Sequence, residues 1–245
     1  MQRKMYGVLG ICSALACWEA LACLENQPAI VRIEEIASTF IRVAFEEPIV
    51  QNIAATMKIL ITGVLIASFL GVLVAVAAVY DWRINEAISP IVGICRNIPS
   101  ITLFPILLVI YGVGDASRVF VIFWTAFPPV LLSSVRGLSS VDKGVVEAGL
   151  ALGMTEAQVM RLIKLPLSMP YIVNGIRIGT GSGFVAIVVA EMLGATNGIG
   201  YMVLWTTNSF RYPETYVYIL LIGFIGTAVN SVMESVERKF ERTGK

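Results

Sequence analysis

Two ionisable residues lie inside an otherwise apolar stretch of this sequence, and they are the first candidates for chemistry. Arg177 and Glu191 stand on either side of Ser182 within residues 170–192. Charged side chains are costly in the hydrocarbon region of a membrane, and they usually face a protein interior or a water-filled cavity. On a helix the two charges would be about 21 Å apart, so they cannot pair directly. We therefore predict Arg177, Ser182 and Glu191 as residues that line a path for a polar solute.

Common kinds of catalysis have few candidates in this chain. It contains no histidine, which removes Ser-His-Asp and Cys-His catalysis as well as His-ligated zinc. None of its four cysteines forms a CxxC pair, so no metal site is expected. Glu19 and Glu191 lie at opposite ends of the chain, which disfavours an intramembrane enzyme with paired carboxylates. Residues 179–183 read Gly-Thr-Gly-Ser-Gly but lack the Gly-Lys-Ser/Thr ending of a nucleotide-binding loop, so any ATPase must be a separate chain.

Small residues recur every four positions in the same apolar stretch. Gly175, Gly179 and Gly183 fall on one face of a helix, where small side chains let a second helix approach closely. The stripe predicts helix–helix packing, and an interface between two copies of the chain is one candidate for it.

The composition predicts a membrane protein. Of the 245 residues, 57% are hydrophobic and 14% are charged, and the mean hydropathy is +0.80. A soluble domain is typically about half apolar and about a quarter charged. The net charge of +1 favours neither nucleic acid nor a polybasic membrane patch. Apolar runs long enough to span a membrane, at about 20 residues each, predict six transmembrane helices within residues 5–24, 53–79, 98–113, 118–135, 170–192 and 215–233.

Basic residues predict the orientation of these spans. With the N-terminus in the cytoplasm, twelve Lys and Arg residues fall inside and five fall outside, as the positive-inside rule requires. The predicted fold class is therefore an all-α membrane protein of about six transmembrane helices with both termini cytoplasmic. The first run could also be a signal peptide, but Trp18 and Glu19 interrupt it, which favours an uncleaved anchor.

Two segments outside the spans leave alternatives open. Residues 26–50 have apolar residues at helical spacing and a charged opposite face, which indicates either an interfacial amphipathic helix or a solvated helix packed on the bundle. The external loop 194–213 either re-enters the membrane or forms an ordered hairpin. We accordingly treat residues 1–50 as an N-terminal anchor with an external segment and residues 237–245 as a cytoplasmic tail.

One predicted cytoplasmic connection, residues 136–169, is too long for a plain loop, since loops above about 12–15 residues usually carry structure or function. Ser139 and Ser140 are candidate N-caps of a first short helix, with Asp142 in its first turn. Gly153 is a natural stop for that helix.

A second short helix follows in the same connection. Thr155 and Gln158 have the spacing of a capping box at its start, and Pro166 is expected to end it. The connection, about residues 139–166, therefore predicts a helix–Gly–helix hairpin suited to docking on a cytoplasmic partner.

Seven hairpin residues also follow one fixed spacing. The pattern is Glu, Ala and a small residue, then Gly after three intervening residues, then Ile-x-Leu-Pro after nine more. This spacing resembles the EAA loop of permease subunits of bacterial ATP-binding-cassette (ABC) importers, with Gly at a position that is commonly Ala. The resemblance covers about residues 50–235 and is to the nitrate/sulfonate/taurine-type permeases, which makes residues 51–236 the permease domain. The matching positions are Glu147, Ala148, Gly149, Gly153, Ile163, Leu165 and Pro166.

The resemblance implies a transport subunit with no enzymatic activity of its own in the bacterial cytoplasmic (inner) membrane. Such a permease pairs with a second permease copy and with two cytoplasmic ATPase subunits, which use ATP and Mg²⁺, while an extracytoplasmic binding protein delivers the solute. The permease itself binds no cofactor. Glu147 would lie at the ATPase contact, and Gly153 would allow the turn.

The resemblance implies a small anionic solute. The candidates are nitrate, bicarbonate and a sulfonate such as taurine. A thiamine-precursor pyrimidine or another small organic solute is the alternative that similar permeases raise. A different class of function is an ATP-independent channel or secondary carrier, which would transport without ATP and would need no EAA hairpin.

Overall fold

The computed structural model describes residues 2–24, 27–46 and 48–243, and all regular structure within them is helical. Residues 244–245 of the predicted tail lie outside the described residues. A 3₁₀ turn at Ser100–Leu103 and a π-helical turn at Met160–Lys164 accompany the α-helices. The α-helices are α1 Gln2–Leu24, α2 Ile33–Glu46, α3 Ile49–Tyr80, α4 Trp82–Asn97, α5 Phe104–Tyr111, α6 Asp115–Ser139, α7 Lys143–Ala151, α8 Glu156–Val159, α9 Leu165–Gly194, α10 Ile199–Asn208 and α11 Tyr212–Thr243.

Several of these helices are long and apolar enough to cross a membrane. The candidates are Ile49–Tyr80, Asp115–Ser139, Glu156–Gly194 and Tyr212–Phe240, and the helix pair across residues 82–111 is a fifth if it counts as one broken span. Within α1, residues 12–24 form a shorter apolar helix. The all-α membrane class is thus confirmed. Length and composition support four or five crossings within the described residues, and the span at 5–24 stays a prediction.

The span predicted at 98–113, which contains Pro99 and Pro105, begins directly after a sharp bend, and its crossing of the membrane stays a prediction. The chain bends by 87° between α4 and the helical segment Ser100–Tyr111, because Ile98 is extended, with φ −87° and ψ 114°. A residue before proline is pushed out of the helical region, and Pro99 follows Ile98. α4 itself was not predicted, since charged residues such as Arg83 and Arg96 interrupt its apolar pattern.

The core of the fold is a close-packed set of three long helices. α3 and α6 run parallel, with glycines of α3 against branched side chains of α6. A Cβ added at Gly63 would lie 2.7 Å from Ile122, and one added at Gly71 would lie 2.9 Å from Val130. Close approach of this kind provides the van der Waals contact that holds helices together in lipid. α9 packs antiparallel to both, and α11 packs antiparallel to α9.

The bundle has two distinct ends. At the hairpin end, α6 leads through residues 140–164 into α9. At the far end lie the start of α3, the start of α6 and the end of α9, followed by α10.

The N-terminal segment packs on the far end of the bundle. Val43 of α2 is buried in a cluster with residues of α10 and α11. Arg42 forms an ion pair with Glu214, and the Tyr216 hydroxyl donates to the Ala29 carbonyl at 2.9 Å. The segment therefore contains a helix that packs on the bundle, and its position at the membrane interface stays a prediction. The predicted external loop likewise contains a helix, α10.

Candidate functional site

The first arm of the hairpin is capped by Asp142. Its carboxylate accepts from the backbone N–H groups of Gly144, at 2.7 Å, and Val145, at 3.3 Å. The prediction that Ser139 or Ser140 caps this helix is wrong, because α6 continues to Ser139 and the Ser140 hydroxyl donates back to α6. Asp is as good an N-cap as Ser, and here it stands immediately before the first helical residue.

The turn between the arms depends on Gly153. Its φ is +85°, in the left-handed region that favours glycine. The Met154 N–H donates to the Gly149 carbonyl at 3.1 Å and the Gly153 N–H donates to the Leu150 carbonyl at 2.9 Å. This pair of bonds is a Schellman motif, so the predicted helix stop at Gly153 is confirmed.

The second arm begins as predicted and continues further than predicted. The Thr155 N–H donates to Gln158 Oε1 at 2.8 Å, and the Gln158 N–H donates to Thr155 Oγ1 at 3.3 Å, which confirms the capping box. Pro166, however, does not end the helix. The Leu165 N–H reaches back five residues to the Met160 carbonyl, and this π-helical turn accommodates the N–H that proline lacks. Residues 156–194 consequently form one helical element.

Packing between the arms divides the motif residues into two groups. Gly149 is buried, and a Cβ added there would lie 2.7 Å from Ile163 Cδ1. Leu165 is half-buried, whereas Gly153 and Pro166 are exposed. Glu147 and Ala148 are exposed as well, and the neighbouring Leu150 and Leu152 are 44% and 85% exposed. The hairpin therefore presents a carboxylate and large apolar side chains on a rigid support, which is the chemistry of a protein-docking surface.

A second polar arrangement lies at the far end, around Glu191. The Glu191 side chain is fully buried, with 0% exposure. The Thr56 hydroxyl donates to it at 2.8 Å and the Gly200 N–H donates to it at 2.9 Å. Thr56 Oγ1 in turn accepts from the Ile199 N–H at 3.0 Å. Since these N–H groups open α10, the carboxylate also lies at the positive end of a helix dipole.

Glycines allow the backbone to lie directly against this carboxylate. Gly198 has φ +110°, and a Cβ added there would lie 2.3 Å from Glu191 Cδ. A Cβ added at Gly200 would lie 2.1 Å from the Val188 carbonyl oxygen. The Gly198 N–H donates to Asn52 Oδ1 at 3.0 Å, so α3 holds the turn between α9 and α10 from the other side.

Arg118 completes the arrangement from α6. It is 3% exposed, and its Nη1 lies 4.0 Å from Glu191 Oε1. The same guanidinium donates to Asp115 at 2.7 Å and to Asn197 Oδ1 at 3.2 Å. We call this arrangement the far-end node, and it joins α3, α6, α9 and α10. The far-end node comprises Asn52, Thr56, Arg118, Glu191, Gly198 and Gly200.

The three predicted path residues are not brought together. Glu191 is enclosed in the far-end node. Arg177 lies towards the hairpin end, where it pairs with Glu237 of α11. The Ser182 hydroxyl is half-buried and donates to the Ile178 carbonyl of its own helix at 2.7 Å. Contact of these side chains with a solute stays a prediction.

The glycine stripe of α9 faces α6 of the same chain. A Cβ added at Gly175 would lie 2.8 Å from Ser133 Cβ, and one added at Gly179 would lie 3.1 Å from Ala126 Cβ. At Gly183 the nearest atom would be Ile122 Cγ2, at 3.2 Å. The stripe is thus filled within the chain, so these three glycines are not free to contact a second copy.

The family model described as the binding-protein-dependent transport system inner membrane component matches residues 53–243. The chain belongs to this permease family.

Similar permeases carry several kinds of solute. The taurine transport system permease protein TauC of Escherichia coli K12 is 31% identical over 189 residues, covering 77% of this chain and 69% of that protein. The putative ABC transporter permease protein MJ0413 of Methanocaldococcus jannaschii is 28% identical over 233 residues, covering 93% and 87%. The nitrate import permease protein NrtB of Leptolyngbya laminosa is 26% identical over 227 residues, covering 92% and 81%.

Solved structures with the same fold include an inward-facing conformation of the MetNI methionine ABC transporter. Its matched chain has a TM-score of 0.67 at 21% identity, over 80% of the permease and 99% of that chain. This likeness shows the fold alone. The family match and the identity to TauC show that the permease is a multi-pass inner-membrane component of an ABC transporter.

Sequence reasoning missed most of the permease's far-end node. Asn52 and Thr56 precede Glu191 by more than 130 residues, and no local pattern connects them. The available signals were indirect. Gly198 and Gly200 are close in sequence to a buried carboxylate, and Arg118 is an ionisable residue at the start of a span.

Proposed function

We propose that this permease forms the translocation pathway of an ABC importer for a small anionic solute. The candidate solutes are nitrate, bicarbonate and a sulfonate such as taurine. The energy comes from ATP and Mg²⁺ used by a separate ATPase, and this chain binds no cofactor. The identities of 31% to TauC and 26% to NrtB support the solute class. The observation that carries the proposal is an exposed hairpin that has the full spacing of the EAA loop and whose second arm continues as one helix into a membrane span.

The hairpin is the proposed binding site for the ATPase. Its exposed face carries Glu147, Leu150 and Leu152, while Gly149 and Ile163 hold the arms together from behind. An apolar patch with a charge at its edge is typical of a surface that another protein covers. We infer that movement of the ATPase is transmitted to α6 and α9, because these helices enter and leave the hairpin.

The complete importer is proposed to contain two copies of the permease, two ATPase subunits and an extracytoplasmic binding protein. The glycine stripe of α9 is filled by α6, so we assign the contact between copies to a different, exposed side of α9. That side carries Ile178 and Val185, which are 50% and 64% exposed.

Uptake by the reconstituted complex tests this function. The permease is assembled in proteoliposomes with its ATPase and binding protein, and labelled taurine, nitrate and bicarbonate are supplied separately. We expect accumulation of at least one of them that requires ATP. Accumulation without ATP would indicate a secondary carrier, and ATP-dependent uptake of a neutral pyrimidine alone would overturn the anionic class.

A further inference from the structure

A polar cleft opens at the hairpin end between α6, α9 and α11. Its volume is about 440 Å³. It lies beside the Arg177–Glu237 pair, and one of its lining residues, Glu237, belongs to that pair. The lining residues are Ser133, Arg136, Pro170, Tyr171, Asn174 and Glu237.

The negative charge in the cleft is already balanced. One oxygen of the Glu237 carboxylate accepts from Asn174 Nδ2 at 2.6 Å, and the other pairs with Arg177. The side chain of Glu237 is only 8% exposed. Its carboxylate is therefore held on the wall of the cleft by two donors.

Arg136 supplies a positive charge that the cleft does not balance. Among the side chains that the structure describes, no carboxylate oxygen lies within 4.0 Å of its guanidinium. A cleft with one uncompensated charge concentrates counter-ions. Guanidinium donors match the oxygens of a planar or tetrahedral oxyanion, and the Ser133 and Tyr171 hydroxyls add further donors. The side chains present thus favour an oxyanion.

The walls of the cleft are the two helices that the hairpin connects. Ser133 and Arg136 lie in the last two turns of α6, and Tyr171 and Asn174 lie near the start of α9. The walls are in contact nearby, where a Cβ added at Gly137 would lie 2.6 Å from Tyr171 Cβ. Displacement of the hairpin would therefore move both walls together relative to α11, which carries Glu237, and so change the shape of the cleft.

We propose that this cleft binds the oxyanion group of the solute on the hairpin side of the membrane, and that hairpin movement changes its affinity. Arg136 is the principal ligand in this assignment, with Ser133 beside it. The proposal rests on the proposed function, since it takes an anionic solute as given. A lipid headgroup phosphate offers the same chemistry, and the experiment separates the two sources.

The test uses a thiol placed in the cleft. Ser133→Cys is made in a permease whose four native cysteines are replaced by serine, and the assembled complex is held in zwitterionic nanodiscs. Its reaction rates with an anionic sulfonatoethyl and a cationic trimethylammonioethyl methanethiosulfonate are compared, each normalised to a small thiol. We expect the anionic reagent to be faster by about tenfold, with Arg136→Gln abolishing this preference and Arg136→Lys keeping it. Equal rates, or a preference unchanged by Arg136→Gln, would overturn the site.

Competition identifies the source of the oxyanion. Millimolar taurine, nitrate or bicarbonate should slow the anionic reagent at the Ser133→Cys thiol. Slowing by phosphatidylglycerol in the nanodisc, and by none of these solutes, would assign the cleft to lipid and overturn its place on the solute route. If wild-type complex accumulates an oxyanion and Arg136→Gln leaves that uptake unchanged, the cleft proposal fails while the proposed function stands. If wild-type complex accumulates none of them, both fail.

Discussion

The backbone N–H of Gly200 donates to the carboxylate of Glu191 at 2.9 Å, so the chain closes on itself over nine residues at the far end of the bundle. The first N–H groups of a helix have no partner within it, and here the buried carboxylate provides one for α10. Thr56 donates to the same carboxylate from α3. One side chain therefore ties three helices together at this end.

Removing the Glu191 carboxylate should destabilise the permease. Glu191→Ala leaves buried donors without an acceptor, at a cost of about 1–3 kcal/mol for each unpaired group, and we expect Tm to fall by about 5–10 °C. Glu191→Gln keeps one acceptor oxygen and should lower Tm by less than half of that. Thermal unfolding of the purified permease in detergent, followed by tryptophan fluorescence, measures both. A Glu191→Ala variant with the wild-type Tm would contradict the role of the carboxylate in the far-end node.

A matched pair of glycine substitutions tests the close approach at the same place. Gly198→Ala puts a methyl group against Glu191 and forces alanine to adopt φ +110° with ψ 167°, a conformation that costs L-residues about 1–3 kcal/mol before any clash. Gly181→Ala adds the same methyl group in open space on a helix, where alanine is the better helix former by about 1 kcal/mol. We expect the first change to lower Tm and the second to leave it equal or higher. The idea fails if the two variants unfold at the same temperature.

Glu147 should contribute to the ATPase contact without supporting the fold. Its side chain is exposed on the hairpin, so Glu147→Ala should leave Tm within about 2 °C of the wild-type value, as surface changes usually do. The amount of ATPase that co-purifies and the ATP-dependent uptake should both fall. Glu156→Ala removes another exposed carboxylate from the same hairpin, outside the motif, and is the control. Equal loss of ATPase in both variants would argue against a specific role for Glu147.

The turn of the hairpin should tolerate only residues that adopt a positive φ. Gly153→Asn keeps access to the left-handed conformation, whereas Gly153→Val does not. Nothing lies within 4 Å of a Cβ at this position, so the difference between the variants reports backbone conformation rather than a clash. We expect ATPase co-purification to survive in Gly153→Asn and to be lost in Gly153→Val. Retention in both would show that the turn geometry is not needed for docking.

Two features of the hairpin could be predicted because their signals are local. The capping box spans Thr155 to Gln158, and the stop at Gly153 depends on one backbone conformation. Pro166 does not end the helix because a π-helical turn, which sequence spacing does not reveal, accommodates it. Local sequence patterns therefore predict the capping box and the helix stop, but they do not predict the π-helical turn before Pro166.

The far-end node could not be predicted, for the opposite reason. Glu191 was identified as an ionisable residue in a span, yet its partners Thr56 and Arg118 come from other helices and are set by how α3, α6 and α9 pack. The same holds for the glycine stripe, whose spacing predicted a packing face without saying which helix fills it.

The helix from Glu156 to Gly194 has a mechanical consequence. At 39 residues and about 1.5 Å per residue it is a rod of roughly 58 Å, with the hairpin turn at one tip and Glu191 close to the other. No loop lies between them to absorb displacement. A tilt of about 5° around its midpoint would carry each tip by about 2.5 Å in opposite directions. A partner that displaces the hairpin would thus also displace the Glu191 end of this helix, on the opposite side of the membrane.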